Sequence, residues 1–587
     1  MASGLRCAAA AVAVVALAAC SGIPSGGPAR VVRRVHAEGE EPVEPGGGVR
    51  RLVPQNPRAG SSASDIVRDY LTAETNPDND YAIARRYLVP AARWDAGART
   101  VVYTGARRHA AADINGDRAT VRVTVDAVGT ISPAGEYRPR TTPVTLTFRL
   151  RDVPGSGWRL SDVPTGLLLS VRDVATSFAR STLYWTDQAR RLVPDLVFLR
   201  RVDQPAADLV RALLLGPRGW LAPAVRSAIP RGTKLLDASA AGDGVVRLNF
   251  SREIRNAPQE SLSALVAQVV WTLTEREDVQ AVQLLAEEEP LAVPGRPGLR
   301  DHRRSDWTDF APVPPTADRR LFFVRQGVAN AFDDAGRLYE SVASTPALTS
   351  LAVNRGGTWL AGVTRASAGA RQSLILVDLT GREATRTAVS ADSITAPTWE
   401  PGGTLVWAVQ TTGEGQQIVT APVGGGPLGV VPVPASLPLP VTSLRLSPDG
   451  ARVAIVAGAG KNASLWVARV ERPASGGRVL GDPRQVVPSV RGVTAAAFDG
   501  ARQLLFATYD GKRPALHRVD LDGFALETPI ASGLPARPVT ALTVSAGVPE
   551  GVPADRVVSS GGRLYRRTPG AEWAPLRAGG GAAAFSG

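Results

Sequence analysis

Hydrophobic and polar positions follow several distinct patterns along the chain, and each pattern predicts a different kind of segment. A continuous apolar run from Cys7 to Ala19 precedes a stretch rich in Gly, Pro, Glu and Arg that extends to about Gly60. Helical spacing then alternates with two-residue spacing, which predicts packed helices and half-buried strands. From residue 321 onward, short strand patterns recur with turn residues between them. The chain is therefore predicted to combine α+β domains with an all-β region.

The apolar run has the layout of a secretory signal, with Arg6 before it and small residues at its end. It is too short to span a bilayer, which takes about 20 helical residues. The run ends in the sequence Leu17-Ala18-Ala19-Cys20, which resembles the lipobox of bacterial lipoproteins. The resemblance implies that residues 1–19 are removed and that Cys20 becomes an N-palmitoyl, S-diacylglycerol cysteine. The alternative is a chance Cys behind an ordinary signal peptide.

Residues 20–60 contain few large apolar side chains, so they cannot bury enough surface to offset the entropy of ordering. This stretch is predicted to be a flexible tether that holds the folded part off the membrane. The sequence has only two Cys, and Cys7 would leave with the signal peptide. The exported protein is then predicted to contain no disulfide and no Cys that could serve as a nucleophile or a metal ligand.

Residues 61–195 are predicted to form an N-terminal α+β domain. Apolar residues recur at helical spacing between Ile66 and Leu71, after Ser64 as the predicted helix cap, and a second helix is predicted near residues 80–88. Strands follow, and strict alternation in residues 119–125 predicts a half-buried strand. Two helices followed by an antiparallel sheet resemble the NTF2-like fold, which implies that the domain can hold a pocket.

Residues 196–296 are predicted to form a second α+β domain, and residues 297–320 a linker. A helix ends near Gly216-Pro217, and a long apolar stripe runs from Leu262 to Leu273. Together with the segments Ile-Pro-Arg-Gly-Thr and Val-Arg-Leu-Asn-Phe-Ser, this order resembles the GerMN domain of bacterial envelope and germination proteins. The resemblance implies a binding or assembly module without a catalytic motif.

Residues 321–587 are repetitive and are predicted to form a β-propeller. Five copies of a strand, a Gly-containing turn and a second strand begin at Thr349, Thr395, Thr442, Thr494 and Thr540, with spacings of 46, 47, 52 and 46 residues. Four short strands in such a period are typical of propeller blades. Residues near 321–342 could complete a sixth blade with the C-terminal strands, so five or six blades are expected. The turn Ser447-Pro-Asp-Gly450 resembles TolB-type repeats.

The net charge of +13 changes this picture little. The Arg residues are scattered without long runs, which is typical of solvated faces in a protein encoded by a GC-rich genome. The alternative is attraction to anionic lipid or to acidic cell-wall polymers, which salt would weaken. Because the chain carries an export signal, a nucleic-acid partner is not expected.

The sequence contains no recognisable catalytic motif. The four His residues are far apart in the sequence (His36, His109, His302 and His517). The His-Glu-x-x-His, Gly-x-Ser-x-Gly and Ser-x-x-Lys motifs are absent. We therefore predict that the protein is not an enzyme and has no catalytic, cofactor-binding or metal-binding residues.

Three polar segments invite a functional interpretation, but each has a simpler one. Asp78-Asn79-Asp80 could offer oxygen ligands, although such a sequence is typical of a turn. Glu287-Glu288-Glu289 is predicted to be a solvated turn. The segment Gly458–Ser464 contains Gly and Lys like a phosphate-binding loop, but Asn462 follows the Lys and strand patterns flank it, so a hairpin turn is expected.

The order of lipobox, tether, α+β domain, GerMN-like domain and propeller resembles the actinobacterial LpqB family of lipoproteins over essentially the whole chain. The resemblance implies a location on the outer face of the cell membrane and an accessory role toward the extracytoplasmic region of a sensor histidine kinase, which would affect cell-envelope homeostasis. One alternative is a module that binds cell-wall glycan or a small ligand, with Trp399, Trp407 and Trp466 stacking on it, although core packing of these Trp is expected. Another is a propeller-associated hydrolase, for which the sequence supplies no nucleophile domain.

Overall fold

The computed structural model describes residues 54–201, 204–313, 318–366, 370–474, 476–528, 531–545 and 553–586. Within these residues, the helices and strands form three units that follow one another along the chain. No helix of the described part is long and apolar enough to cross a membrane. The predicted signal peptide, the lipobox with Cys20 and the tether as far as residue 53 lie outside the described residues.

The first unit is an antiparallel sheet covered by helices. Its elements are α1 (Ala63–Ala73), α2 (Asp78–Arg85), β1 (Thr100–His109), β2 (Asp113–Asn115), β3 (Arg118–Ile131), β4 (Tyr137–Pro139), β5 (Val144–Val153), β6 (Gly157–Asp162), β7 (Leu168–Ser170) and α3 (Val171–Ser177). The strand order is β6-β5-β3-β1-β7, and only the β1–β7 pair is parallel. The alternation predicted for residues 119–125 is confirmed, because Val121, Val123 and Val125 are buried while Arg122 between them is exposed.

The apolar residues predicted for the first helix lie in the core of this unit. Ile66, Tyr70 and Leu71 on α1 are fully buried. The helix begins two residues earlier than predicted, because Ser62 rather than Ser64 adopts the extended cap conformation. Its hydroxyl oxygen accepts a hydrogen bond of 3.2 Å from the backbone N–H of Asp65.

The last residues of the predicted tether belong to the first unit. Pro54 is buried, the hydroxyl of Tyr87 donates to the carbonyl oxygen of Gln55 (2.7 Å), and Arg86 donates to the side chain of Asn56 (2.7 Å). The prediction that the tether extends to residue 60 is therefore wrong for residues 54–60. A few hydrogen bonds and one buried Pro suffice to hold a polar segment whose composition alone predicts disorder.

The second unit consists of a hairpin, a helix pair and a four-stranded sheet. Its elements are β8 (Phe178–Thr186), β9 (Leu192–Arg200), α4 (Pro205–Leu214), β10 (Leu235–Ala240), β11 (Val245–Phe250), α5 (Gln259–Leu273), β12 (Ala281–Ala286) and β13 (Glu289–Pro290). The sheet order is β10-β11-β12-β13, and α5 connects the parallel strands β11 and β12. The predicted apolar stripe of α5 is buried from Leu265 to Leu273, and Ala264 and Gln268 are buried as well.

Part of the segment predicted as a linker, Arg304–Phe310, packs against α5 instead. Trp307 is buried, and its backbone carbonyl accepts a hydrogen bond of 3.2 Å from the indole N–H of Trp271. Arg304 forms an ion pair of 2.6 Å with Glu275 at the end of α5. The apolar surface of one Trp is enough to hold a segment that has no strand or helix periodicity.

The third unit contains six antiparallel sheets arranged as the blades of a β-propeller. Blade 1 contains β14 (Leu321–Arg325), β15 (Val328–Phe332) and β16 (Leu338–Tyr339); blade 2 contains β17 (Leu348–Val353), β18 (Trp359–Thr364), β19 (Gln372–Asp378) and β20 (Arg386–Ala391); and blade 3 contains β21 (Ser393–Ile394), β22 (Thr398–Trp399), β23 (Leu405–Thr412), β24 (Gly415–Pro422) and β25 (Gly429–Val431). Blade 4 contains β26 (Val441–Leu446), β27 (Arg452–Ala457), β28 (Ser464–Glu471) and β29 (Val479–Gln485); blade 5 contains β30 (Val493–Asp499), β31 (Gln503–Tyr509) and β32 (Pro514–Asp520); and blade 6 contains β33 (Val539–Val544), β34 (Arg556–Ser560), β35 (Arg563–Arg567) and β36 (Trp573–Gly579).

The C-terminal strand closes the propeller. This strand, β37 (Gly581–Phe585), pairs with β14 and becomes the innermost strand of blade 1, with Leu321 opposite Phe585. Of the two blade numbers that the sequence leaves open, the structure has six. Closure pairs a strand edge at each end of the unit that would otherwise be exposed.

The repeated Thr of each blade has a common structural role. In blades 2, 4, 5 and 6 it lies where the pairing of the innermost strand shifts by one residue, as in a β-bulge. There the hydroxyl of Thr349 donates to the carbonyl of Val363 (3.2 Å), and that of Thr442 donates to the carbonyl of Val456 (3.3 Å). In blade 3 the hydroxyl of Thr395 accepts instead from the N–H of Val409 (3.0 Å). The sequence repeat therefore marks the position where each innermost strand begins.

Candidate binding site at the junction of the three units

The β8–β9 hairpin connects the first two units. Its tip region, including Trp185 and Leu192, is buried in the core of the second unit, whereas Phe178 and Phe198 near its open end lie in the core of the first. The predicted boundary between residues 195 and 196 falls inside β9. Because one hairpin contributes side chains to both cores, the two units share an element there.

Arg180 of this hairpin forms ion pairs with the propeller. Its guanidinium contacts Asp520 (2.5 Å) and Asp522 (3.0 Å) at the end of blade 5, and all three side chains are mostly buried. Burial raises the pKa of Asp522 to about 6, although the positive charge of Arg180 opposes the shift. A largely desolvated pair of this kind is costly to break, because removal of one partner leaves a buried charge.

An aromatic cluster surrounds this ion pair. Phe524 of the propeller packs edge-on against Tyr137 (5.1 Å between ring centroids) and against Phe198 (5.0 Å). The guanidinium of Arg180 lies over the ring of Phe524 at 5.1 Å. Edge-on aromatic pairs and a cation over a ring both add to the burial of apolar area.

Glu136, at the end of the first sheet, brings all three units together. One carboxylate oxygen accepts the backbone N–H of Trp220 from the second unit (3.0 Å), and the other contacts the guanidinium of Arg484 on blade 4. The indole N–H of Trp220 donates to the carbonyl of Asp482, also on blade 4, at 2.7 Å. One carboxylate thus joins the three units through hydrogen bonds to charged and polar donors.

A second acidic residue, Glu275 after α5, also lies at the junction. It accepts from the hydroxyl of Tyr184 (2.7 Å) and contacts Arg304 and, on the propeller, Arg502. Burial alone would raise its pKa, but the charges of Arg502 and Arg304 outweigh burial and hold the pKa of Glu275 below its ordinary value. Glu275 is therefore charged at neutral pH and holds blade 5 against the second unit.

The predicted TolB-like turn also lies at this junction. Asp449 accepts from the hydroxyl of Ser447 (2.6 Å) and forms a fully buried ion pair with Arg452 (3.1 Å). The same guanidinium donates to the backbone carbonyl of Pro194 in β9. The turn therefore holds an Arg that reaches out of the propeller into the hairpin.

These contacts enclose a cavity of about 230 Å³ whose wall comes from all three units. The wall includes apolar residues such as Phe198 and Leu221, together with charged residues such as Asp195 and Arg452. Asp195 accepts a hydrogen bond of 3.0 Å from the indole N–H of Trp185, and burial raises its pKa to about 6. No His or Cys lies among the described lining residues. The cavity suits a small molecule that is partly apolar.

Three family models match the chain in the same order as these units. The model of the Lipoprotein LpqB N-terminal domain matches residues 56–175, the Sporulation and spore germination model matches residues 182–292, and the Lipoprotein LpqB beta-propeller domain matches residues 331–584. The chain belongs to the LpqB lipoprotein family. The fold class predicted from the sequence, two α+β domains followed by a propeller, is confirmed.

Known relatives cover nearly the full chain. Lipoprotein LpqB of Thermobifida fusca is 28% identical over 94% of this chain and 95% of its own length. Lipoprotein LpqB of Mycobacterium tuberculosis is 28% identical over 86% of this chain and 89% of its own. Among solved structures, TolB from Acinetobacter baumannii matches with a TM-score of 0.37 and 12% identity over 59% of this chain and 88% of its own length.

The residues that the sequence singles out for this LpqB-family chain do not converge on one site. Cys20, the lipobox residues Leu17 to Ala19, and His36 lie outside the described residues. His109 ends β1 in the first unit, and His302 is buried against Trp307 in the second. In the third, His517 stacks on Phe506. These three His lie in three different units.

Two of the three polar segments adopt the simpler structures expected for them. Asn79 and Asp80 occupy the first turn of α2 with left-handed backbone (φ of 50° and 54°), and Asp80 pairs with Arg85. Glu287 and Glu288 are exposed in the turn between β12 and β13, and the exposed Glu289 begins β13. The Lys-containing segment after Gly458 is a single helical turn in the hairpin between β27 and β28. The turns predicted at residues 287–289 and 458–464 are confirmed, whereas the turn predicted at residues 78–80 forms the irregular start of α2.

The prediction that the propeller Trp residues pack in the core is confirmed for two of them. Trp399 and Trp407 are almost completely buried, at 2% and 0% exposed. Trp466 is partly buried, and its indole N–H donates to the hydroxyl of Ser464 (2.9 Å). Trp399 and Trp407 therefore present no free aromatic face of the kind that stacks on a sugar.

Proposed function

We propose that this protein is a non-catalytic accessory lipoprotein, anchored through Cys20 on the extracytoplasmic face of the cell membrane, that binds the extracytoplasmic region of a sensor histidine kinase. Through this contact it affects cell-envelope homeostasis. Its relatives are named Lipoprotein LpqB, and this name supports the anchoring. A lipid anchor confines the protein near a membrane partner and so raises its effective concentration there.

An apolar cleft on blade 3 is the observation that favours a protein partner. Val430 lies on β25, the outermost strand of this blade, and its side chain is 55% exposed. Leu439 in the following loop is 62% exposed, and both residues line a shallow cleft of about 390 Å³ with Pro432 and Leu437. Exposed aliphatic side chains beside an unpaired strand edge are typical of surfaces that bind proteins.

The ion pairs at the junction support this role as well. They join the three units through contacts of Arg180, Glu136 and Glu275, so that a partner meets a single preformed surface. A preformed surface loses less conformational entropy on binding than one that must be ordered. The buried Trp399 and Trp407 give less support to a glycan-binding surface on the propeller.

In-cell crosslinking tests the proposal. A photoreactive amino acid is placed at Val430 of the full-length protein, and crosslinked partners are identified by mass spectrometry. The matched position is Val479, an exposed Val on the outermost strand of blade 4. We expect a sensor histidine kinase to be recovered from position 430, and not from position 479.

Two substitutions separate the anchor from the surface. Cys20→Ala should weaken recovery because it removes the lipid, whereas Val430→Asp should abolish recovery because it buries a charge in the contact. Val479→Asp should leave recovery unchanged. Recovery of wall glycan alone, or of no protein, would contradict the kinase proposal, and turnover of an envelope substrate by the purified protein would contradict the absence of catalysis.

The cavity at the junction favours a second candidate, a module that binds a small envelope ligand. The cavity combines the apolar rings of Phe198 and Trp220 with the polar groups of Asp195 and Arg452. If this is the function, purified muropeptides should raise the melting temperature of the protein, and the increase should be lost in Trp220→Ala. An unchanged melting temperature with every muropeptide would exclude this candidate.

A further inference from the structure

The central channel of the propeller contains a second cavity, of about 100 Å³. It lies at the C-terminal ends of the innermost strands. Its wall contains apolar and polar residues in similar proportion, with Leu351, Phe498 and Leu542 among the apolar ones. Two basic residues, Arg355 and Arg445, also line it, and none of the described lining residues is Asp or Glu. The cavity is therefore a small space that combines apolar residues with positive charge.

Arg445 has only backbone acceptors. Its Nη1 atom donates to the carbonyl oxygens of Ala396 (3.3 Å), Pro397 (3.4 Å) and Leu444 (3.0 Å). In the part of the chain that the structure describes, no carboxylate lies within ion-pair distance of it. Burial lowers the pKa of Arg445 to about 10. A buried cation without a counter-charge is unfavourable, so a bound anion would offset this cost.

Trp399 supplies a second donor without an acceptor. It is 2% exposed and lines the same cavity, and its indole N–H has no hydrogen-bond partner among the described residues. The neighbouring Trp407 is buried just as completely, but its indole N–H donates to Glu400 at 3.2 Å. Buried N–H groups are nearly always paired, which points to an acceptor that a ligand brings to Trp399.

Arg355 adds to the positive charge of this cavity. It follows β17, and burial together with repulsion by Arg191 in the tip of the β8–β9 hairpin lowers its pKa to about 10. Arg355 thus places a second guanidinium group in the wall of this cavity, in addition to that of Arg445.

We propose that this end of the propeller channel binds an organic carboxylate, whose oxygens accept hydrogen bonds from Arg445 and from the indole N–H of Trp399. The planar guanidinium matches the two oxygens of a carboxylate. The apolar residues of the wall contact the hydrocarbon part of the ligand. This contact distinguishes an organic acid from inorganic phosphate. The cavity volume fits a short aliphatic acid or the terminal group of a longer one. This site is separate from the cleft on blade 3 and does not depend on the partner proposed above.

Isothermal titration of the full-length protein with isovalerate tests the proposal. The neutral amide of the same acid, isovaleramide, has the same shape without the charge. We expect the carboxylate to bind at least about tenfold more tightly than the amide, since one charge-assisted contact carries about that difference. Inorganic phosphate should bind more weakly than isovalerate because it gains nothing from the apolar wall.

Three variants locate the site. Arg445→Gln should weaken isovalerate binding at least about tenfold, and Trp399→Phe should weaken it several-fold because only one N–H is removed. The control is Arg386→Gln, since Arg386 on β20 also donates to backbone carbonyls, those of Pro422 and Val423, but does not line the channel. Its affinity for isovalerate should match that of the unmodified protein.

Several outcomes would overturn the proposal. These are equal binding of the acid and the amide, phosphate binding as tight as that of isovalerate, no binding at about 10 mM isovalerate, or unchanged affinity in Arg445→Gln. If Arg445→Gln does not fold, the comparison of acid with amide and the Trp399→Phe variant decide the question, because Phe keeps the apolar ring in the core.

Discussion

The protein buries Arg side chains in two regions, at the junction and in the propeller channel, and their surroundings differ in one respect. Arg180 at the junction meets the carboxylates of Asp520 and Asp522, whereas Arg445 in the channel meets only backbone carbonyls. A buried charge whose counter-charge belongs to the same chain holds parts of the structure together. A buried charge without a counter-charge in the described part of the chain is better explained by a bound ligand that supplies the opposite charge. This difference between Arg180 and Arg445 favours a structural role for the junction and a binding role for the channel.

Arg180→Ala should have the largest effect and should act on the junction. It leaves Asp520 and Asp522 without their cation, so we expect the free energy of unfolding to fall by about 2–4 kcal/mol. Urea denaturation followed by circular dichroism measures this change. Arg108→Ala breaks the exposed pair with Asp126 on the first sheet and should leave the denaturation midpoint nearly unchanged. Equal effects of the two substitutions would mean that the junction pair is not structurally important.

Asp195→Asn should show that the junction cavity responds to pH. Burial raises the pKa of Asp195 from 3.8 to about 6, so the folded state binds this proton more tightly than the unfolded state. Between these two values the unmodified protein loses stability as pH rises, and the loss is complete above about pH 6. The Asn variant, which can still accept from Trp185, should be more stable by about 3 kcal/mol at pH 7 and equally stable at pH 3. A difference that is the same at both pH values would contradict the shift.

Trp407→Phe and Trp399→Phe should have smaller effects that differ from each other. Both substitutions leave a similar gap in blade 3, but only Trp407 loses a hydrogen bond, the one to Glu400. Loss of this bond should cost about 1 kcal/mol more in Trp407→Phe than in Trp399→Phe, which removes an N–H that has no acceptor among the described residues. Thermal unfolding without added ligand measures the difference. Equal losses of stability would indicate that Trp399 has an acceptor after all.

The sequence predicts the fold well because most of the chain follows simple periods. The alternation in β3, the apolar stripe of α5 and the repeated Thr of the propeller each correspond to a structural element. The repeat is visible because the same bulge recurs in blades 2, 4, 5 and 6, where the hydroxyls of Thr349 and Thr442, for example, donate to backbone carbonyls. Periodicity does not predict whether an irregular segment packs against a folded unit. For this reason the sequence predicts a tether at residues 54–60 and a linker at residues 297–310.

Neither candidate site is recognisable in the sequence. Asp520-Leu-Asp522-Gly is an ordinary turn sequence after a strand, and nothing in it indicates that Arg180, about 340 positions earlier, supplies the counter-charge. Trp399 and Trp407 are both expected in the core, yet only the structure distinguishes the indole that has an acceptor from the one that does not. Both sites depend on pairs of residues that are distant in sequence.

By itself, the sequence determined the order of the segments, the class of each domain, the lipobox with Cys20 and the family resemblance, because these depend on local composition, spacing and repeats. Only the tertiary structure decided that the β8–β9 hairpin joins two cores, that β37 closes six blades, and which buried Arg residues have a carboxylate partner. The physical reason is that periodicity reports which face of an element is buried, whereas ion pairing and cavity lining depend on which distant elements meet that face.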